Sequence, residues 1–416
     1  MSSAAPQPYK HAASVTAQVF FCAAPIRLDA YDGCQFGCVY CFSRKRARIW
    51  ASDGVHAANA MAFRRRLERI QTGELASALD EFLAARVPLQ LGGLHDPFTA
   101  RERELGVTRE LLTILRDHRQ PTLISTKGNI LLEEHYLGLL KDMDVAVRFS
   151  AATVPEAFRR RVDRSTDAFS TTLKKIERLS RCGIPTGLRL QPVIPGFEAD
   201  ALRMTRQAAR AGVKRVSFEY LKISKETLAS TVRMLHDATG VDVFERMKKM
   251  GLTALGWDYT LIPDAKRAFV REARKTCRAL GVRFGAGDTE FIPWSDGDGC
   301  CGSSSEFLGR SRQFTANFVG AIKAGLTSKR GVVAFRQVER AWSPTRPIST
   351  YLNWRSRGAA HDGQRSDWVA LMAKRWNGDS GPYAPSYFDG VAWTGRLDAK
   401  GMRIYDAQRL LAELAD

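Results

Sequence analysis

The stretch "PIRLDAYDGCQFGCVYC" (residues 25–41) runs from a short apolar segment, typical of a β-strand, directly into Cys34, Cys38 and Cys41. Spacings of three and two residues let one loop hold a compact metal centre, because thiolates are soft ligands suited to zinc and iron–sulfur clusters. Three thiolates leave one coordination position open, as catalysis requires, and no other cysteine or histidine occurs in the next dozen residues. The spacing favours a cluster; a zinc site and a chance group of core cysteines are the alternatives.

Outward from this loop, short β-like runs alternate with longer amphipathic stretches as far as about residue 285. The strand candidates are 25–30, 87–93, 121–126, 145–152, 185–194, 215–223 and 281–287, and the helix candidates include 102–118, 170–183 and 264–281. This order predicts parallel strands covered by helices, an α/β fold of the complete or partial (β/α) barrel type. Sites in such barrels lie at the carboxyl ends of the strands, which is where the three cysteines fall.

The chain is strongly basic, with 63 Lys and Arg against 44 Asp and Glu and a net charge of +19. The basic runs occupy residues 44–48, 64–69, 159–164 and 266–275. Such a field favours a polyanionic partner, nucleic acid before an acidic membrane surface, although any single run on its own is more typical of a solvated helix face.

The sequence contains no apolar run of about 18 residues, so no membrane partner is expected. Residues 13–25 are apolar but are interrupted by Gln18, and we predict a strand there. Eight cysteines scattered through 416 residues indicate a reducing, cytoplasmic environment in which thiols act as ligands or reagents.

Beyond residue 285 the strand–helix order gives way to a loop-rich stretch and then a basic tail. We predict an N-terminal extension (1–23), a barrel (24–290), a Gly/Ser/Cys-rich loop region (291–326) and a basic, Trp-rich C-terminal module (327–416). The tail interleaves aromatic and basic residues, namely Trp342, Tyr351, Trp354, Arg355 and Arg357. This composition suits stacking on bases and contacts with phosphates, and core tryptophans with surface arginines would give the same composition.

The segment "CQFGCVYC", with an aromatic residue before its third cysteine, resembles the CxxxCxxC signature of radical S-adenosylmethionine (SAM) enzymes. Over about residues 24–290 the resemblance implies a partial (β/α)6 TIM barrel with a C-terminal extension. It also implies that Cys34, Cys38 and Cys41 bind three irons of a [4Fe-4S] cluster whose remaining iron chelates SAM. The reduced cluster would cleave SAM to a 5′-deoxyadenosyl radical, Tyr40 would pack near the adenine, and flavodoxin or ferredoxin would supply the electron.

Further stretches match the same family. "LGGLHDPF" (91–98) corresponds to its Gly-Gly-Glu motif, where Gly92 and Gly93 would let the backbone approach the SAM amino group. Leu94 stands in place of the acid, which weakens that contact.

Three more residues are candidates for SAM binding by the same resemblance. Lys127 of "STKGN" (125–129) would meet the SAM carboxylate, and Ser150 and Arg189 follow on the fourth and fifth strands. A surface lysine and a capping serine are the alternatives for Lys127 and Ser150.

Three pairs or short segments are similar to the spore photoproduct lyase-like branch, namely Asp96–Pro97, Thr126–Lys127 and "PVIP" (192–195). The lyase of that branch repairs a thymine dimer in DNA with a cysteine hydrogen donor near the end of its second strand. This sequence has Gly93 at that place, with His95 close by.

We therefore take His95, Cys300 and Cys301 as candidate catalytic residues. The two thiols lie in the Gly-rich stretch 296–304, which could bring a hydrogen donor or an extra ligand to the barrel mouth, and inert loop thiols are the alternative.

Without the lyase thiol, a rearrangement that returns hydrogen from 5′-deoxyadenosine needs no protein donor. The expected function is an isomerase step on a thymine-derived base in DNA, as in thymidine hypermodification encoded by some bacteriophages, which would act in the host cytoplasm. The alternatives are lyase-like DNA repair, radical SAM chemistry on a peptide or small molecule, and a zinc-stabilised nucleic-acid-binding protein without catalysis.

Overall fold

The structure, a computed structural model, describes residues 12–45, 56–302, 307–328, 331–348, 368–378 and 384–415. The chain forms two compact units. The first consists mainly of Leu28–Phe63 and Leu91–Phe284, and the second of Ala13–Arg27, Arg64–Gln90 and Gly285–Asp416. Among the described residues, no helix has the length and apolar character needed to span a membrane.

Strands and helices alternate along much of the described chain. The strands are β1 (Ala13–Val15), β2 (Ile26–Leu28), β3 (Tyr31–Asp32), β4 (His56–Ala57), β5 (Leu89–Leu91), β6 (Thr122–Thr126), β7 (Val145–Ala151), β8 (Thr186–Val193), β9 (Arg215–Tyr220), β10 (Ile223–Ser224), β11 (Leu252–Leu255), β12 (Asp258–Leu261), β13 (Arg283–Ala286), β14 (Val332–Val333), β15 (Ala392–Leu397) and β16 (Arg403–Asp406). The helices are α1 (Ala60–Gln71), α2 (Ala78–Ala84), α3 (Glu102–Leu105), α4 (Val107–Asp117), α5 (Glu134–Lys141), α6 (Glu156–Val162), α7 (Phe169–Arg181), α8 (Glu198–Arg210), α9 (Leu228–Thr239), α10 (Val243–Gly251), α11 (Pro263–Ala279), α12 (Phe318–Thr327), α13 (Arg336–Arg340), α14 (Trp368–Trp376) and α15 (Gln408–Ala415).

The first unit is built on a parallel sheet in which β6, β7, β8 and β9 lie side by side in that order. These strands pair in parallel, with Thr122 opposite Val145, Val147 opposite Thr186 and Gly187 opposite Arg215. All five residues of β6 are buried, as expected for a parallel strand covered on both faces. The α/β fold of a partial barrel, predicted from the alternation of apolar runs, is confirmed.

Two predicted elements are wrong in detail. Residues 102–118 form two helices, because Gly106 takes a left-handed conformation with φ 64° and the buried Glu102 carboxylate accepts hydrogen bonds from the backbone N–H groups of Thr108 and Arg109. Residues 13–25 are a strand only at Ala13–Val15, since a short 3₁₀ helix (Ala17–Phe20) follows.

The second unit contains a small antiparallel sheet, β14–β16–β15, and an aromatic core. The indole N–H groups of Trp368 and Trp376 donate to the Ala316 and Arg403 carbonyls at 2.6 and 2.7 Å. Trp342 packs edge-on against Phe82, with ring centroids 5.7 Å apart. The other aromatic and basic residues singled out in the tail, at positions 351, 354, 355 and 357, lie outside the described residues, so the role of the tail and the four-segment division stay predictions.

Candidate cofactor site at the carboxyl edge of the sheet

The three predicted cysteine ligands lie on one loop of the first unit, directly after β3. The backbone N–H of Cys41 donates to the Cys38 carbonyl at 3.2 Å, and the N–H of Val39 donates to the Val162 carbonyl at 3.0 Å. Cys38 is buried, whereas Cys34 and Cys41 are half-buried. The loop is thus anchored to the end of α6 and exposes two of its thiols in part.

The cysteine thiols sit in surroundings that disfavour a bare thiolate. Burial raises the pKa of Cys34 to about 12 and raises the pKa of Cys38 well above its usual value, with smaller contributions from the neighbouring thiols. Within the residues that the structure describes, no three His, Cys, Asp or Glu side chains converge as ligands of one metal ion would. A [4Fe-4S] cluster spreads its cysteines over separate irons, and three cysteines on one loop fit such a cluster.

Lys127 lies at the end of β6 and is held inside the unit. Its ammonium group is 3.0 Å from the Tyr40 hydroxyl, 3.0 Å from the Ser150 carbonyl oxygen and 3.1 Å from the Asp163 carboxylate. The Tyr40 hydroxyl itself donates to Asp163. The side chain of Lys127 is 13% exposed and that of Asp163 is 2% exposed, so the alternative that Lys127 is a surface lysine is wrong.

Asp163 contacts both Lys127 and Tyr40, and the sequence did not predict it as a site residue. Its carboxylate also accepts from the Ala152 N–H at 3.0 Å and from Arg159 at 3.4 Å. Burial alone would raise the pKa of Asp163, but the Lys127 charge and the hydrogen bonds hold it below its usual value. Burial likewise would lower the pKa of Lys127, which the Asp163 charge instead raises. Both groups are therefore ionised at neutral pH.

Asp96 fixes the backbone that carries Lys127. Its carboxylate accepts from the Thr126 hydroxyl at 2.7 Å and from the Lys127 N–H at 2.6 Å.

Gly92 is required by packing, because its φ is 83° and a Cβ atom there would lie 2.4 Å from the Ser125 carbonyl oxygen. The predicted contacts of Gly92 and Gly93 with SAM stay predictions.

His95 lies beside the cysteine loop. Its Nε2 atom is 3.4 Å from the hydroxyl of Ser43, two residues after Cys41, and its side chain is buried. The backbone N–H groups of Leu94 and His95 donate to one oxygen of Asp29 at 2.9 and 3.3 Å. The Asp29 carboxylate thus holds the segment where Leu94 replaces the family acid.

The remaining candidate residues are more scattered. Arg189 on β8 pairs with Glu219 at 3.1 Å, and Lys222 meets the same carboxylate at 2.7 Å. Cys300 and Cys301 belong to the second unit, where Cys300 is half-buried and Cys301 is buried. Their catalytic role, like that of His95, stays a prediction.

A barrel whose strand ends carry three cysteines on one loop and a buried, paired lysine defines an enzyme built around a metal-containing cofactor. Residues 29–209 match the family model of the Radical SAM superfamily, so this part of the chain is a radical SAM domain. Enzymes of this superfamily use a [4Fe-4S] cluster and SAM, and these are its cofactors.

Solved structures of two proteins resemble the chain at low identity. Spore photoproduct lyase complexed with dinucleoside spore photoproduct is 14% identical, with 65% of this chain and 79% of that chain covered and a TM-score of 0.49. A mutant of the same lyase is 13% identical, with 68% and 79% covered and a TM-score of 0.48. SuiB of Streptococcus suis is 14% identical, with 48% and 40% covered and a TM-score of 0.35. No curated protein matches the sequence.

Proposed function

We propose that this radical SAM enzyme acts on a thymine-derived base in DNA and rearranges it, as an isomerase step in thymidine hypermodification of the phage type. The observation that carries the proposed site is the cysteine loop packed beside the Lys127–Asp163–Tyr40 network. The net charge of +19 and the similarity of Asp96–Pro97 and Thr126–Lys127 to the lyase-like branch support DNA as the substrate.

In this proposal Cys34, Cys38 and Cys41 hold the cluster, which supplies the electron for SAM cleavage. Lys127 binds the SAM carboxylate. A lysine ammonium has three N–H donors, and in the structure three acceptors already surround that of Lys127. To bind the SAM carboxylate, Lys127 must therefore give up one of these three acceptors. If it gives up the Tyr40 hydroxyl, it keeps its charged partner Asp163.

The source of the hydrogen atom that returns to the base favours a rearrangement over a repair reaction that needs a protein thiol as hydrogen donor. SAM held beside Lys127 would supply a 5′-deoxyadenosyl radical that takes one hydrogen atom from the base, and the same hydrogen atom would return once the base has rearranged. No thiol is consumed, which agrees with Gly93 at the place of the lyase thiol.

The test is an anaerobic incubation of the reconstituted enzyme with dithionite, SAM and three DNAs, which are unmodified, irradiated or hypermodified at thymine. Nucleosides released by digestion are then separated and weighed by mass spectrometry. We expect hypermodified DNA to yield a thymidine derivative of unchanged mass and altered retention. Restored thymine in irradiated DNA would assign the repair activity instead, and SAM cleavage that leaves all three DNAs unchanged would overturn DNA as the substrate.

A further inference from the structure

Helix α6 has an inner face that is buried in the protein and an outer face that is exposed to solvent. Arg159 on the inner face is 3% exposed in its side chain and contacts Glu156 and Asp163 at 3.2 and 3.4 Å. Arg160, Arg161 and Arg164 are exposed to solvent and form what we call the outer α6 surface. In the part of the chain that the structure describes, none of these three arginines forms an ion pair with a carboxylate.

The outer α6 surface adjoins the cofactor site of the same unit. The Val162 carbonyl accepts the Val39 N–H of the cysteine loop at 3.0 Å, and Asp163 accepts from Tyr40. Helix α6 also follows the carboxyl end of β7, the edge at which a barrel keeps its chemistry. Arg161 and Arg164 therefore flank, in the chain, the two residues that contact the cysteine loop.

Two other basic runs are partly engaged by carboxylates or buried in the protein. In the run 64–69, Arg66 and Arg69 pair with the buried Asp80 at 2.6 and 2.7 Å. In the run 266–275, Lys266 is fully buried and Arg267 pairs with Asp264 at 2.6 Å. The α6 run differs because three of its cations face solvent without a carboxylate partner among the described residues.

We propose that the outer α6 surface binds backbone phosphates of the nucleic acid whose base enters the site. Arginine presents a rigid fork of donors that matches phosphate geometry. Because these side chains are exposed, contact with a phosphate costs little free energy of desolvation. Phosphate contacts set the position of the nucleic acid without reading its sequence. This inference rests on DNA as the substrate and names the part of the enzyme that holds it.

The experiment compares two double variants with equal change in charge. Arg160→Glu with Arg164→Glu alters the outer α6 surface, and Arg206→Glu with Arg210→Glu alters exposed residues at the end of α8, which leads into the amino end of β9. Binding of fluorescent thymine-containing duplex DNA is measured by anisotropy at several salt concentrations, alongside thermal unfolding and SAM cleavage without DNA.

We expect the α6 variant to bind DNA at least about tenfold more weakly, with a salt dependence reduced by about two phosphate contacts. The α8 variant should bind within about twofold of the wild type, and both should cleave SAM normally. If the α6 variant unfolds, Arg160→Gln with Arg164→Gln replaces it, with the same expectation at smaller magnitude.

Three results would overturn the inference: unchanged DNA binding by the α6 variant, equal loss in both variants, or loss of binding to anionic phospholipid vesicles with DNA binding intact. Failure of the wild type itself to bind DNA would instead contradict the proposed function. The two failures are therefore distinguishable.

Discussion

Both compact units have apolar cores, but they differ in which other buried side chains stand out. At the carboxyl edge of its sheet, the first unit encloses charged groups, with Asp29 and Asp163 buried and Lys127 nearly so. The second unit is filled with aromatic rings, and Trp368 and Trp376 are among its fully buried side chains. The difference lies in what each kind of burial contributes to stability.

Buried aromatic rings stabilise a fold by removing apolar surface from water. A buried ion pair contributes little net stability, because desolvation of both charges offsets their attraction. The charged groups beside the cysteine loop are therefore best explained by the proposed cofactor site, and the aromatic core of the second unit by stability. Substitutions in the two units should separate these roles.

The largest effect on stability is expected from Trp376→Ala. Removal of this fully buried ring should lower the free energy of unfolding by about 3–5 kcal/mol, because the cavity loses both apolar burial and packing contacts. Urea denaturation measures the change. Trp393→Ala is the matched control, since Trp393 is 47% exposed, and it should cost less than about 1 kcal/mol. Equal losses in both variants would contradict the assignment of stability to the buried rings.

The next effect is on the cofactor site and is expected from Asp163→Asn. The variant keeps the shape of the side chain and removes the charge that Lys127 and Tyr40 meet, so SAM binding should weaken roughly 10- to 100-fold. Isothermal titration of the reconstituted enzyme with SAM measures this. Glu177→Gln, at an exposed ion pair with Arg181, is the control and should leave SAM binding unchanged. SAM binding as tight as in the wild type would remove Asp163 from the site.

The same pair predicts a pH dependence of stability. The folded-state pKa of Asp163 lies below its usual value, so its contribution to stability is present above the unfolded-state pKa and is lost as the pH falls through the folded-state pKa. Wild-type protein should therefore lose more stability on acidification below about pH 4 than the Asn variant does. Parallel acid titrations, followed by circular dichroism, would contradict this if the two proteins behaved identically.

The smallest effect is expected from Ser150→Ala. Lys127 contacts the carbonyl of Ser150 rather than its hydroxyl, so the free energy of unfolding should change by less than about 0.5 kcal/mol. If the hydroxyl binds SAM as predicted, the SAM dissociation constant should rise about fivefold, the value of one hydrogen bond. An unchanged dissociation constant would leave Ser150 with a backbone role only.

The strands and the cysteine loop could be predicted because their signals are local: apolar runs between turns, and the spacing of Cys34, Cys38 and Cys41. The helix break at Gly106 was missed because the apolar periodicity continues across it, whereas the hydrogen bonds that fix the break come from the buried Glu102. Asp163 was missed because it lies within a basic run that predicts a solvated face. The sequence signal for Asp163 was a single acidic residue among arginines. Its partner Lys127 lies 36 residues away in sequence, so local sequence did not pair the two.

The basic runs also show that local sequence does not predict which charged residues are paired in the fold. Sequence treats them alike, but Arg66 and Arg69 meet a buried carboxylate while Arg160 and Arg164 face solvent. Only the fold decides which cations remain for a partner. The side chain of Arg44 and residues 46–48, which follow the cysteine loop, lie outside what the structure describes.

All of the proposed chemistry depends on the cysteine loop, which must hold the cluster that cleaves SAM. The most direct measurement is the iron content and the 5′-deoxyadenosine released after anaerobic reconstitution with iron and sulfide, followed by dithionite and SAM. We expect a brown wild-type protein that releases 5′-deoxyadenosine, a Cys38→Ala variant that folds but loses this activity, and a Cys182→Ala control, at the end of α7, that keeps it. A colourless wild-type protein that retains zinc, or a Cys38→Ala variant that still cleaves SAM, would contradict this role of the loop.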